Sequence, residues 1–279
     1  MQEKNNFAFI NDQFYSSKDA CIHISDIALQ RGYAIFDFFK TVNGKPVFLQ
    51  QHLNRFYASA QAMRMPVAYT QEQLREIIHQ LLSKNEISDS GVRITLTGGY
   101  ADDGYSIQQP NLMIAQRPLP ISTITEINLI THQYQRQLPY VKTTDYLMAI
   151  FLKDFVQQNN ADDVLYCNQD EVRESPRANF FIVTKDYKII TPKTDVLSGI
   201  TRQVLLNIQK IDEYIIKEED FTIQDIQHAT EAFITSTTKG VLSVKSINNI
   251  KIGNTDSKPA ALLLQQKLKK IIKDEIDIC

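Results

Sequence analysis

Residues 33–44 read Tyr33-Ala-Ile-Phe-Asp-Phe-Phe-Lys-Thr-Val-Asn43-Gly44, a run crowded with aromatic and β-branched side chains that stops at Asn-Gly. This composition predicts a β-strand over Tyr33–Val42 that turns tightly at Asn43-Gly44. Asn and Gly tolerate the positive φ angles that a two-residue hairpin demands. The period then changes. Across Gln50–Arg64, residues Leu53, Phe56, Tyr57, Ala60 and Met63 recur three and four apart, on one face of a helix. A strand, a turn and a helix in immediate succession point to an α/β fold.

The flanking sequence continues the alternation. Phe7–Ile10 and Phe14–Tyr15 enclose a polar Asn11-Asp12-Gln13 and suggest another hairpin. Thr70, with Gln73 three residues later, forms a capping box that opens a helix over Gln71–Lys84. In the strand Val92–Thr97, Val92, Ile94 and Leu96 share one face and Arg93, Thr95 and Thr97 the other. Two prolines in Arg117-Pro-Leu-Pro-Ile-Ser-Thr mark a boundary. The expected division is a small N-terminal α/β domain (1–118), a linker (119–132) and a larger C-terminal domain (133–279). The latter is read as helices over Tyr146–Asn159, Thr201–Lys210 and Ala260–Asp274. A short helix capped by Thr222 and strands over Val164–Cys167, Phe180–Thr184, Lys188–Thr191, Tyr214–Lys217, Glu231–Ser236 and Val241–Ile247 complete it.

Composition narrows the function classes. Hydrophobic residues at 43% supply ample core, and a net charge of −2 from interspersed acids and bases argues against nucleic acid as a partner. Cys21, Cys167 and Cys279 are odd in number and lack companions at metal-ligand spacing, so they read as reduced thiols and no metal site is expected. The N-terminus lacks the order of a secretory leader, and no apolar run approaches the ~20 residues of a membrane span. The expectation is a soluble, cytoplasmic protein with no membrane partner.

Five short stretches could carry chemistry. Each is ambiguous alone. Lys142, in Leu-Pro-Tyr-Val-Lys-Thr-Thr-Asp, is a surface lysine or a nucleophile, and Glu174, in Arg-Glu-Ser-Pro-Arg-Ala-Asn-Phe-Phe, is a solvated loop carboxylate or a buried one. Gly199-Ile-Thr-Arg opens a helix whose exposed amides would suit a phosphate, or is simply an ordinary helix start. Ser236-Thr-Thr closes a strand. Gly98-Gly-Tyr through Gly104-Tyr-Ser fits a mobile loop, without the Lys-Ser/Thr of a phosphate-binding loop.

The order of these stretches resembles one family. His-Leu-Asn-Arg55-Phe, Val-Lys142, Arg-Glu174-Ser-x-x-x-Asn-Phe-Phe, Gly-Ile200-Thr201-Arg and Thr-Ser-Thr237-Thr follow the sequence pattern of class IV pyridoxal-phosphate aminotransferases. The resemblance implies the two-domain fold type IV with a β-barrel-like core in the larger domain, and a homodimer with its active sites at the domain junction. It implies that Lys142 attaches the cofactor, pyridoxal 5′-phosphate, and carries the substrate proton, tasks that suit a primary amine. Glu174 would meet the pyridine nitrogen and keep it protonated. Arg55 would bind the phosphate, helped by the amides of Ile200 and Thr201 and the hydroxyl of Thr237.

The resemblance implies an amino acid and a 2-oxo acid as substrates. Arg31 and Arg93 are the candidate carboxylate-binding groups, unless either forms a structural ion pair with Asp26 or Asp37. Branched-chain enzymes usually have tyrosine where Arg31 stands and glycine where Phe38 stands. Arg-Gly-Tyr-x-Ile-Phe-Asp together with Thr-Gly-Gly-Tyr-x-x-Asp-Gly-Tyr resembles an arginine-rich D-amino-acid transaminase group. The favoured expectation is therefore a D-amino-acid transaminase acting on D-glutamate or D-alanine with 2-oxoglutarate. The alternatives are a branched-chain L-amino-acid aminotransferase, an aminodeoxychorismate lyase suggested by Gly104-Tyr105-Ser106, and an inactive cofactor-binding homologue.

Overall fold

The computed structural model describes residues 6–120, 123–253 and 259–278. It divides into two compact units: Met1–Ile121 with Val141–Asp145 and Glu275–Cys279, and Ser122–Tyr140 with Tyr146–Asp274.

The first unit contains β1 (Phe7–Ile10), β2 (Gln13–Ser16), α1 (Ile27–Arg31), β3 (Ala34–Val42) and β4 (Lys45–Pro46), then α2 (Leu49–Ala62), α3 (Gln71–Asn85), β5 (Ser90–Thr97) and β6 (Leu112–Pro118). Its six strands form one antiparallel sheet in the order β2-β1-β6-β5-β3-β4. The β3–β4 turn is the Asn-Gly hairpin expected from the sequence, with φ of 52° at Asn43 and 77° at Gly44. Ile35, Phe39, Val92, Ile94 and Leu96 point from one sheet face into a core completed by Leu53, Phe56 and Ala60 of α2 and Leu74, Ile78 and Leu81 of α3. Each such large side chain contributes roughly 1.5–3 kcal/mol by leaving water, which is why this periodicity dictates the layering. The Thr70–Gln73 capping box forms with both of its hydrogen bonds.

The second unit contains β7 (Glu126–Gln133), α4 (Leu147–Phe151), α5 (Lys153–Gln158), β8 (Asp163–Asn168), β9 (Glu171–Val172), β10 (Glu174–Ser175), β11 (Ala178–Val183) and β12 (Lys188–Thr191). These are followed by α6 (Ile200–Leu206), β13 (Lys210–Ile211), β14 (Tyr214–Glu218), α7 (Ile223–His228), β15 (Glu231–Ser236), β16 (Gly240–Ile247), β17 (Ile250–Lys251) and α8 (Ala260–Ile278). The strands join in one sheet of order β13-β14-β12-β11-β15-β16-β7-β8-β9, with β10 on β11 and β17 on β16. Every residue of β11 is buried.

Several expectations are corrected. The barrel-like core is instead an open path among the described residues. Its ends, β13 and β9, are two residues long, so the ladder runs out rather than closing. The expected linker 119–132 holds most of β7, whose Ile127 and Leu129 are buried and pair in parallel with β16 and β8. Residues 121–122 of that stretch lie outside the described residues. Helix 146–159 breaks at Leu152, which turns into a small cluster with Val164 and Tyr166. The helix expected to reach Lys210 stops at Leu206, because Lys210–Ile211 pairs with β14.

Cys21 is exposed and Cys167 buried, and both are free. Burial pushes the Cys167 thiol up to about 12 against the opposing charge of Arg173. Cys279 lies outside the described residues. Among the described residues no helix is long and apolar enough to cross a membrane.

Candidate active site

In the first unit, Lys142 is not part of a surface loop. Its segment lies along the N-terminal half of β3, which β4 leaves uncovered. The Phe36 N–H donates to the Lys142 carbonyl at 2.9 Å and the Thr144 N–H donates to the Ala34 carbonyl at 3.0 Å. On the other side the Lys142 N–H donates to Ser59 Oγ of α2 at 3.3 Å. The backbone at Lys142 is therefore held by both a strand and a helix. Its Nζ lies 4.7 Å from the centre of the Phe36 ring, and the Arg93 guanidinium lies 3.7 Å from the same ring. Register explains this. Phe38 pairs with Arg93 and Phe36 with Thr95, so these four side chains share the sheet face opposite α2.

Arg55 takes the other face. Its Nε donates to Asp37 Oδ2 at 2.8 Å and its Nη2 to Oδ1 at 2.9 Å. His52 Nδ1 lies 2.7 Å from the same Oδ1. Burial pushes the Asp37 carboxyl up, but Arg55 and His52 together outweigh it and hold the group well below the usual carboxylate range. The two acids that the sequence offers as partners for Arg31 and Arg93 are thus engaged elsewhere. Asp37 is held as just described. Asp26 caps α1 and accepts from Thr97 Oγ1 at 2.6 Å and Asn111 Nδ2 at 2.7 Å. Arg31 itself ends α1, exposed, with Nη1 donating to the Gln30 carbonyl at 3.2 Å. In the loop after β5, Asp103 closes a local turn. Its carboxylate accepts from the amides of Tyr105 and Ser106 and from the Ser106 hydroxyl, which together keep it at about 2.

In the second unit, Glu174 is a buried carboxylate, 4% exposed. Its Oε1 accepts from Arg136 Nη1 at 2.8 Å, and its Oε2 accepts from Asn179 Nδ2 at 3.1 Å and the Leu197 N–H at 3.0 Å. One cation and two neutral donors stabilise the charge that burial would otherwise expel. Glu174, Asn179 and Thr235 are directly opposite one another across β10, β11 and β15, so they form one polar row. Thr235 Oγ1 is buried without a hydrogen-bond partner among the described residues. Ile200 and Thr201 are the first residues of α6 and are buried, and Thr237 lies partly buried in the turn after β15.

Gly199, the N-cap of α6, explains why its motif begins with glycine. Its φ of −67° suits any residue, but a Cβ there would meet Asn179 Oδ1 at 2.0 Å. Gly199→Ala is therefore expected to displace the carboxamide that supports Glu174 and to cost about 1–3 kcal/mol. Thermal denaturation checks this, and an unchanged melting temperature would show the contact to be unimportant.

The sequence alone gives no sign of Arg136, assigns no role to His52 or Asn179, and offers Asp37 only as an ion-pair partner for Arg31 or Arg93. Asn179 was within reach, since it stands five residues after Glu174, across the turn between β10 and β11. Arg136 lies 38 residues from Glu174, a pairing that only the tertiary fold creates.

The family model for class IV aminotransferases matches residues 34–247, most of the chain. The chain belongs to the class IV aminotransferase family. The D-alanine aminotransferase of Listeria monocytogenes serovar 1/2a is 28% identical over 270 residues, covering 92% of this aminotransferase and 93% of the relative. That of Staphylococcus haemolyticus is 26% identical over 275 residues, covering 95% and 97%. In fold, the aminotransferase matches the T.th. branched-chain amino acid aminotransferase with pyridoxamine 5′-phosphate. The TM-score is 0.88 at 23% identity, over 98% of this chain and 96% of that one. The two open sheets are thus the architecture of fold type IV enzymes.

Proposed function

We propose that this aminotransferase uses pyridoxal 5′-phosphate to move an amino group between a D-amino acid, D-glutamate or D-alanine foremost, and a 2-oxo acid such as 2-oxoglutarate. The observation that carries this reading is the pair of cations on Phe36: Arg93, suited to a substrate carboxylate, and Lys142, suited to a substrate proton. The D-alanine aminotransferases among the relatives support the choice of enantiomer.

The residues present fit the cofactor. Lys142 offers a primary amine, Arg55 a cation for the phosphate, and Glu174 a buried carboxylate for the pyridine nitrogen. The unpartnered hydroxyl of Thr235, in the row of Glu174, suits a bound polar group. In this reading the amides of Ile200 and Thr201 and the hydroxyl of Thr237 would also serve the phosphate. When bound, the cofactor supplies an electron sink for the charge left on the substrate α-carbon. Lys142 Nζ takes the α-proton. Glu174 would offer its negative charge to the pyridine nitrogen, and Arg136, donating to it at 2.8 Å, would keep that charge in place. Arg93 and Arg31 hold the substrate carboxylates, and bidentate pairing fixes the Cα–H bond in orientation.

The test is substrate kinetics. Arg93→Ala and Arg31→Ala are each expected to raise the KM for 2-oxoglutarate by about 10- to 100-fold, the equivalent of one lost charge-assisted hydrogen bond of roughly 1.5–3 kcal/mol. Robust turnover of L-leucine, with none of D-alanine or D-glutamate, would overturn the enantiomer and leave the cofactor assignment standing.

The enzyme acts as a homodimer in this reading. On α4, Leu147, Ile150 and Phe151 recur at helical spacing and are 71–77% exposed, the kind of apolar face a second copy covers. Sedimentation analysis measures the mass directly.

A further inference from the structure

Arg55 lies on the helix-packed side of the first sheet, where a charged group is out of place. Its partner Asp37 stands on β3 between Ile35 and Phe39 and opposite Ile94 of β5, and is fully buried among these core side chains. Asp37 does not merely neutralise Arg55. Its two oxygens take Nε and Nη2 side by side, fixing the plane of the guanidinium as a single contact could not. Asp37 is itself restrained. Its Oδ1 also accepts from the Phe38 N–H at 2.7 Å, and His52 Nδ1 meets the same oxygen at 2.7 Å.

His52 and Arg55 are one turn apart on α2, so the helix backbone sets their separation. Burial pushes His52 below its ordinary value, and the charges of Arg55 and Lys142 add to this against the pull of Asp37. Because Nδ1 faces a carboxylate, which can only accept, the ring keeps a proton on Nδ1 and donates it to Asp37.

We infer that Asp37 and His52 are positioning residues for Arg55: they lock its guanidinium in one orientation, and the affinity of the enzyme for the phosphate of its cofactor depends on that lock. The inference rests on the phosphate role proposed above for Arg55. An arginine side chain has several rotatable bonds, and each that must be frozen on binding weakens the complex. Asp37 freezes them in advance. The chain relays constraint from β3 through a carboxylate to a cation on α2, with His52 bracing the carboxylate from the same helix.

The test compares how apoprotein binds pyridoxal 5′-phosphate and pyridoxal, which lacks the phosphate, by fluorescence titration. The ratio of the two affinities isolates the phosphate contribution, and a general loss of structure does not move it. In the wild type the phosphate form is favoured. Arg55→Ala is expected to lower the ratio about tenfold or more, and Asp37→Asn to lower it comparably. The double variant should fall no further than Arg55→Ala alone. His52→Leu should lower the ratio as well, and His52→Asn should restore it, because Asn Nδ2 can donate where the imidazole Nδ1 did.

An unchanged ratio in Arg55→Ala would remove the phosphate role and the inference with it. A fallen ratio in Arg55→Ala beside a wild-type ratio in Asp37→Asn would overturn the inference alone. Should Asp37→Asn fail to fold, the histidine pair decides, since it leaves both charges in place. A wild-type ratio in His52→Leu overturns the proposal.

Discussion

Lys142→Ala is expected to fold like the wild type and to lose transamination altogether, by about 10⁴-fold or more, because in the proposed reading one amine serves as both attachment point and proton carrier. The folding half of this statement comes from the backbone. The contacts that seat residue 142 are its own N–H to Ser59 and its own carbonyl from Phe36, and alanine keeps both. The loss includes one cation over the Phe36 ring, a contact worth about 0.5–1 kcal/mol. Borohydride reduction followed by mass spectrometry should show a covalent cofactor adduct on the wild type and none on the variant. Circular dichroism supplies the folding control. Full activity in well-folded Lys142→Ala protein would refute the assignment.

Glu174→Gln keeps the shape of the side chain and removes its charge. An opposite charge beside a titrating nitrogen is worth one to three pKa units, roughly tenfold each, so α-proton removal should slow by about 10- to 1,000-fold while the cofactor still binds. A second effect is separable. Arg136 is 18% exposed and would trade the carboxylate at 2.8 Å for a neutral carboxamide, which weakens the electrostatic support of a largely buried cation. Outright loss of the partner at full burial would cost about 3–5 kcal/mol, and the carboxamide and partial exposure both reduce it. Single-turnover rates, followed through the visible absorbance of the bound cofactor, read the first effect, and thermal denaturation reads the second. A half-reaction rate equal to that of the wild type would end the role proposed for Glu174.

Much of the first unit was legible because its signals are local. The Asn43-Gly44 turn, the Thr70–Gln73 capping box and the alternation of Val92, Ile94 and Leu96 each depend on residues a few positions apart, and all three appear in the structure. β7 is hard to see in the sequence, although Ile127 and Leu129 alternate as a strand requires, because the preceding prolines are equally the signature of a linker. The break at Leu152 was illegible, since the helix ends there only through packing on Val164 and Tyr166 of another element. The same division runs through the site. Motif order singled out Lys142, Glu174 and Arg55. The groups that hold two of them, Arg136 behind Glu174 and Asp37 beside Arg55, are joined by tertiary contacts that no short stretch encodes.

The five residues Val141–Asp145 belong to the first unit although the chain on either side belongs to the second. Until they arrive, the outer edge of β3 at Ala34 and Phe36 has no backbone partner there, and closing it joins positions 110 residues apart, as Thr144 to Ala34 shows. Such distant closures are slow, since the chain must be ordered over its whole length before any contact rewards it. During synthesis, then, the first hundred or so residues emerge with an incomplete sheet. The segment that carries Lys142 is the one that covers this edge, so its amine is set in place only as the edge of the sheet closes.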